Sequence, residues 1–403
     1  MSKRIGIIGG GAAGFFGALA VAEANPQYEV IIFEKAKQVL SKVRISGGGR
    51  CNVTHACFTP SELTRFYPRG HKELLGPFHR FQPKDTINWF EKRGVLLKTE
   101  EDGRMFPISD NSETIIQCFL SEMKRLKVKL EVESSIEKIE NQAEGFLLKR
   151  RNKADIFCDK LLLATGSSNK LWEIVQEMGH TIEPPVPSLF TFHIDNFSLI
   201  DLAGLSVNGV KASLENSALT QMGPILITHW GFSGPAILKL SAWGARFLHD
   251  CQYKAKLKIN WLPQQKHHEI KELLQEGKKV FNAKLIGNEN PFNLPKNIWK
   301  KFTMDCVPSE KKWIALSNAE IEKICQKLQN DTYVINGKST NKDEFVTCGG
   351  IKLEEVNFKT MESNLIPNLY FAGEVLNIDG VTGGFNFQNA WTTSWIAAQA
   401  MAK

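Results

Sequence analysis

Three glycines near the start of the chain, Gly9, Gly11 and Gly14 in IGIIGGGAAG, stand in G-x-G-x-x-G spacing. The first permits a tight turn, the second lets backbone approach a pyrophosphate, and the third lets a helix pack closely on a strand. Ala12 and Ala13 keep the turn small between them. Glu34, followed by Lys35, closes the apolar run EVIIF. A carboxylate at that distance accepts both hydroxyls of a ribose and repels a 2′-phosphate, which favours FAD or NAD over NADP.

A second glycine run, SGGGRCN, comprises Ser46, Gly47, Gly48, Gly49, Arg50, Cys51 and Asn52. A third closes the chain: the apolar stretch NLYFAGEVL ends at Gly373-Glu374, and GGFNFQN then supplies Gly383, Gly384, Phe385, Asn386 and Gln388. A helix opening near Asn386 would turn its unpaired N–H groups toward a group that becomes negative, such as the N1 and O2 edge of a reduced flavin. NAD makes no such second demand, whereas FAD needs both its phosphates and its ring held. Two glycine–helix units at opposite ends of the chain therefore favour FAD. A flavin carries the hydride chemistry, so few catalytic side chains are required. The candidates are Arg104 in GRMFP, which could hold an anionic substrate, and His229 in THWGFSGP, whose imidazole titrates near neutrality. The competing readings are an arginine exposed in a turn and a histidine that orients one.

These residues need a scaffold of strands, turns and helices. Arg4 to Ile8 reads as a strand, the Ala- and Phe-rich segment after it as a helix, and Glu29 to Phe33 as a second strand. The run Pro184-Pro185-Val186-Pro187 marks a boundary, since consecutive prolines continue neither a helix nor a central strand. Beyond it LFTFHID, VNGVKASLE, GPILITHWG and YKAKLKINW read as short strands, and residues 264–329 turn helical in period. The expected fold is α/β. A discontinuous Rossmann-like FAD-binding domain, residues 1–190 and 346–403, is interrupted at 191–345 by a β-rich domain carrying a small helical subdomain.

The net charge of +7 is concentrated in one place. From Gln252 to Phe345 there are 17 Lys and no Arg against 11 acids. A solvated lysine-coated face accounts for this, with an RNA-binding surface as the alternative. The eight cysteines form no C-x-x-C pair, and His267-His268 are adjacent, so no metal site is expected. With no run of 18 apolar residues and a first strand starting almost at Met1, neither a membrane span nor a signal peptide is expected. A reduced cytoplasmic setting is the simplest reading.

The sequence resembles the bacterial flavoprotein family described as aminoacetone-oxidase-like or bile-acid-reductase-like FAD-binding proteins, which is related to fumarate-reductase-type flavoproteins. The motifs are IGIIGGGAAG, FEK at 33–35, ISGGGRCNVTH at 45–55, GRMFP at 103–107, LLATGS at 162–167, THWGFSGPAIL at 228–238 and GGI to GGFNFQNA at 349–390. By this resemblance SGGGRCN folds along the FAD, Arg50 and Asn52 bind phosphate or flavin edge, and Ile136, Thr165 and Gly166 join the cofactor contacts. The pattern departs at Asn377, where Asp is expected, and at Ser394, where Gly is expected. The resemblance implies an FAD-dependent oxidoreductase acting on a small molecule, by reduction of an activated C=C bond or oxidation of an amine. The alternative it carries is an RNA-directed flavoenzyme reducing uridine to dihydrouridine in ribosomal RNA. Since no second G-x-G-x-x-G is followed by an acid, NAD(P)H is expected to bind transiently, without a Rossmann domain of its own.

Overall fold

A computed structural model describes residues 2–338 and 346–403. The chain divides into two compact units, Met1–Val186 with Thr347–Lys403, and Pro187–Val346. The first joint falls within the proline run; the second expected joint, at residue 345, lies outside the described residues. The stretch Ile182–Ser188 is a strand despite Pro184, Pro185 and Pro187. It pairs with Val346–Ile351 alone, in a sheet of two strands. The proline strand then has a free edge, where a missing N–H costs no ladder bond.

The first unit is built on a seven-stranded sheet. The centre of its parallel block is β1 (Arg4–Ile8), flanked by β2 (Glu29–Phe33) and by the strand Lys160–Leu163. Lys129–Glu131 and Leu369–Phe371 extend the parallel block on its two sides. The short strands Glu362–Ser363 and Val356–Asn357 finish one edge antiparallel. The central strands read as continuous apolar runs because both faces of a parallel sheet are covered. Ile5, Ile7, Leu161, Leu162 and Leu163 are all buried.

Two helices cover one face. Helix α1 (Ala12–Ala24) is buried on nearly every side, so its composition is apolar all round, without a polar stripe. It lies against the last helix, Phe385–Met401, and the two run parallel. Gly373 lies against both Ala13 and Ala390, Gly17 meets Ser394, and the Asn25 amide donates to the Ala402 carbonyl. Both helices therefore open at the end of the sheet where β1 and Leu369–Phe371 finish.

The second unit is a seven-stranded sheet whose described pairings are all antiparallel. Its helices include Pro235–Trp243, His267–Val280, Lys296–Cys306 and Asn318–Gln329, the last three forming the helical subdomain. Its core is largely Ile, Leu and Val, with Trp261, Trp299 and Trp313 buried among them.

Candidate functional site

The three fingerprint glycines separate when a Cβ is built on each. At Gly9, with φ +114°, it would stand 2.4 Å from the Ala164 carbonyl oxygen, and at Gly14 it would stand 1.8 Å from the Gly9 carbonyl oxygen. The protein's own packing requires those two. At Gly11 a Cβ would meet nothing within 4 Å. Gly11 also caps the start of α1, whose first N–H groups have no partner in the helix. The fingerprint thus keeps its middle position bare where the chain itself has no need of the room.

Glu34 sits at the carboxyl end of β2, beside this turn. Its carboxylate accepts the Gly10 N–H at 2.7 Å and the Ala36 N–H at 2.8 Å. One lone pair on each oxygen is used, which leaves the other two directions for hydroxyl donors. Lys35 is exposed next to it. The N–H groups of Glu133 and Ser134 bind the Ala36 and Glu34 carbonyls, which brings the buried, unpartnered Ser134 Oγ to this end of the sheet. Ile136 is buried just beyond.

Thr165 and Gly166 leave the neighbouring strand, and a Cβ on Gly166 would stand 3.6 Å from Glu374 Oε2. Gly373, with φ +74°, lies against Ala13, so three separated segments converge on the start of α1. Glu374 pairs with Lys42.

The SGGGRCN run ends a helical stretch, Ser41–Gly49, that kinks at Ser46. Gly47, Gly48 and Gly49 follow at φ +58°, +68° and +85°. Three consecutive left-handed residues explain the glycine run, because a Cβ disfavours each. The loop packs against the C-terminal glycine turn. Asn52 is buried, and with its amide oxygen turned to Gly384 it accepts that N–H at 3.0 Å while donating to the Thr54 carbonyl at 3.0 Å. A Cβ on Gly384 would stand 2.6 Å from the Thr54 oxygen.

Several expected ligands have other work. The Arg50 guanidinium pairs with Glu100 at 2.6 Å and lies 4.0 Å over the Phe106 ring. Cys51 is buried, and burial pushes its thiol up to about 12, so it offers no thiolate. Gln388 is buried in an internal network, accepting from Thr54 and Thr86 and donating to Thr392. Asn386 binds both backbone groups of Gly380, and Phe385 is stacked against both His55 and Phe66, which also neighbour each other. Arg104, the expected substrate anchor, is already paired with Asp102 at 2.7 Å and Glu100 at 3.0 Å. His229 is exposed in a turn of the second unit.

The structure also supplies residues that spacing did not reveal. Asn389, one position past Gln388, is fully buried, and neither atom of its amide has a partner. Asn377 Oδ1 is likewise buried and unpartnered. The segment Tyr67–Gly70 straps the loop before the last helix: Arg69 pairs with the fully buried Asp379, and the Tyr67 hydroxyl donates to the Phe385 carbonyl at 2.6 Å. The loop thus has its carboxylate two residues after Asn377, and Arg69 neutralises it. Among the described residues no cluster of potential metal ligands occurs, and no helix is long and apolar enough to cross a membrane. A surface cavity of about 550 Å³ lies elsewhere in this unit, between Pro77 and Phe358.

The profile of the HI0933-like protein Rossmann domain matches residues 3–400. The chain belongs to this family. The HI0933-like assignment bears out the flavoprotein resemblance and the Rossmann fold read from the motifs. Three relatives align along nearly their whole length. A 3-dehydro-bile acid delta(4,6)-reductase of Clostridium scindens is 26% identical over 100% of this chain and 99% of its own. A ribosomal RNA dihydrouridine synthase of Haemophilus influenzae is 27% identical, over 98% of each chain. One of the same name from Escherichia coli is 28% identical, over 98% of this chain and 96% of its own. Among solved structures, a 3-ketosteroid-delta4-(5alpha)-dehydrogenase from Rhodococcus jostii shares the fold, with TM-score 0.52 and 14% identity over 100% of this chain and 97% of that one.

Proposed function

We propose that this HI0933-like protein is an FAD-dependent oxidoreductase that reduces an activated C=C bond in a small molecule. The observation that carries the reading is Gly11, a position held bare at a helix start for a group the chain does not itself supply. The residues present fit FAD. The opening N–H groups of α1 would face the pyrophosphate, Glu34 the adenosine ribose, and the Gly383-Gly384 turn with Asn389 the ring end. The unpartnered amide of Asn389 and hydroxyl of Ser134 are the donors and acceptors such a ligand would satisfy. When bound, the flavin supplies two-electron transfer. The chain's part is to hold that group, orient its substrate and keep water out. Nicotinamide, as NADH or NADPH, is the electron donor in this reading and binds transiently. The eight cysteines, none of them in a disulfide, favour a reducing compartment such as the cytoplasm.

A second reading, reduction of uridine in ribosomal RNA, is favoured by two of the relatives' names and by exposed Lys296, Lys300 and Lys312, which have no ion-pair partner among the described residues. Lys301 and Lys311, from the same stretch, are paired with Asp305 and Glu320. The FAD-loaded protein, reduced anaerobically with NADH or NADPH, distinguishes the two. Reoxidation by a cyclic dienone supports the small-molecule reading. Reoxidation by ribosomal RNA alone, weakened by Lys296, Lys300 and Lys312→Gln with a shallower salt dependence, replaces it with the second.

A further inference from the structure

We propose that the surface cavity between Pro77 and Phe358 takes the C-terminal tail of a partner protein, an extended apolar segment ending in a free carboxylate, which adds as a strand beside Val356. This goes beyond the oxidoreductase reading and involves no contact with the cofactor. The cavity, of about 550 Å³, is lined by residues of the first unit alone. A volume of that size suits a small ligand or a short peptide.

The backbone gives the reason for a strand. Val356–Asn357 is the outermost strand of the seven-stranded sheet and pairs on one side only, with Glu362–Ser363. The Asn364 N–H donates to the Glu355 carbonyl at 2.8 Å, which makes Glu355 and Asn364 a hydrogen-bonded pair of this antiparallel ladder. Bonded and non-bonded pairs alternate along such a ladder. Val356, opposite Ser363, therefore turns its N–H and C=O away from the ladder, toward the open edge. An edge of this kind is a template for another chain. Val356 lines the cavity together with Pro77 and Phe358, so an added strand would have apolar side chains to rest on. The strand is two residues long, and its ladder is short. The ends of the occupant must supply the rest of the binding.

Charge sets the direction. Glu73 and Arg80 belong to the wall formed by the helix Leu75–Arg80 and the turn before it, and Glu354 and Lys359 to the wall that carries Val356. Arg80 Nη1 donates to the Lys359 carbonyl, which brings the two basic residues to one end. The acids lie further back along each wall. None of the four side chains has an ion-pair partner among the described residues. A guanidinium has five N–H donors, so Arg80 keeps others for a carboxylate. A terminal carboxylate then meets Arg80 and Lys359, while a basic residue upstream in the tail meets Glu73 and Glu354. That lays the tail parallel to Val356–Asn357, where slanted bonds let the Val356 N–H and C=O reach two different peptide units. A free amino acid carries both charges on one carbon and cannot serve both ends.

The FAD-loaded full chain is titrated calorimetrically with acetyl-Lys-Leu-Val-Leu ending in a free carboxylate, with its C-terminal amide, with the free acid methylated on its backbone nitrogens, and with free leucine. The parent should bind the free acid, and bind the amide and the methylated peptide each about tenfold more weakly, for the loss of charge-assisted and of backbone hydrogen bonds. Arg80→Gln combined with Lys359→Gln should lower affinity for the free acid about tenfold and leave that for the amide unchanged, with FAD content as in the parent. A parent that does not bind the free acid, or binds acid and amide alike, overturns the proposal. Equal affinity for the methylated peptide leaves an apolar cleft without strand addition and overturns it as well. Free leucine bound as tightly as the peptide would make this an amino-acid site and overturn the assignment to a protein tail.

Discussion

Replacing Glu34 by Gln keeps the size of the side chain and removes its charge, which isolates what the carboxylate does. In the structure that carboxylate holds two backbone N–H groups, of Gly10 at 2.7 Å and Ala36 at 2.8 Å. A hydrogen bond to a charged group contributes about 1.5–3 kcal/mol and a neutral one about 0.5–1.5 kcal/mol. Glu34 is only half-buried, so the low end applies, and each bond to a ribose hydroxyl should weaken by about 1 kcal/mol. Two such bonds give about 2 kcal/mol, a fall of roughly thirtyfold in FAD affinity. The assay is titration of the apoprotein with FAD, followed by quenching of flavin fluorescence, with FMN titrated in parallel. FMN has no adenosine ribose, so its affinity should not change. Equal FAD affinity in parent and variant refutes the ribose assignment. A matching fall for FAD and FMN refutes it too, because the loss would then act through the glycine turn alone.

Asn389→Leu removes a buried amide with no protein partner, so urea unfolding of the apoprotein should show a gain of about 1 kcal/mol while FAD affinity falls about tenfold. A loss in both would make Asn389 a structural residue. His180, whose Nδ1 lies 2.9 Å from Glu355 and whose Nε2 accepts from Ser363, is held below its usual pKa by burial against the opposing pull of Glu355. Below about pH 6.5 the unfolded chain takes up a proton that the folded chain refuses, so stability should fall with acid by up to about 1.4 kcal/mol per pH unit. Thermal melts from pH 7.5 to 5 should show this slope and show it flattened in His180→Gln; parallel curves would contradict the assignment.

The parts of the site that the sequence displayed are those whose cause is local. A tight turn and a helix packed close on a strand demand glycine at the position itself, so Gly9 and Gly14 could be read directly, whereas Gly47 to Gly49 entered through the resemblance and their three positive φ angles are a finding of the structure. Glu34 was legible because a strand and a helix of ordinary length fix its distance from the turn. Arg50, Arg104 and Gln388 have internal partners that the sequence did not show, because their residue types suit a ligand and equally suit a partner elsewhere in the chain. Glu100 lies fifty positions from Arg50, and Thr54 is 334 from Gln388. Asp379 and Arg69 went unnoticed for the same reason, being 310 positions apart. Asn389 carried no signal, since only the packing around it reveals an amide left without a partner. The prolines marked a true joint, yet within a strand, because a two-stranded ribbon leaves a free edge for them.

The placement of Leu369–Phe371 inside the parallel sheet, with Phe385–Met401 laid against α1, sets an order in time. On a ribosome the strand Lys160–Leu163 emerges with β1 on one side and nothing on the other. Its missing neighbour follows only after the 205 residues 164–368, about 10–41 s later at ordinary rates of synthesis. Through that interval Phe16 and Phe119 lack Trp391, the indole they pack on at 5.3 and 5.7 Å. The nascent chain therefore carries a greasy, half-made surface until Phe385–Met401 emerges.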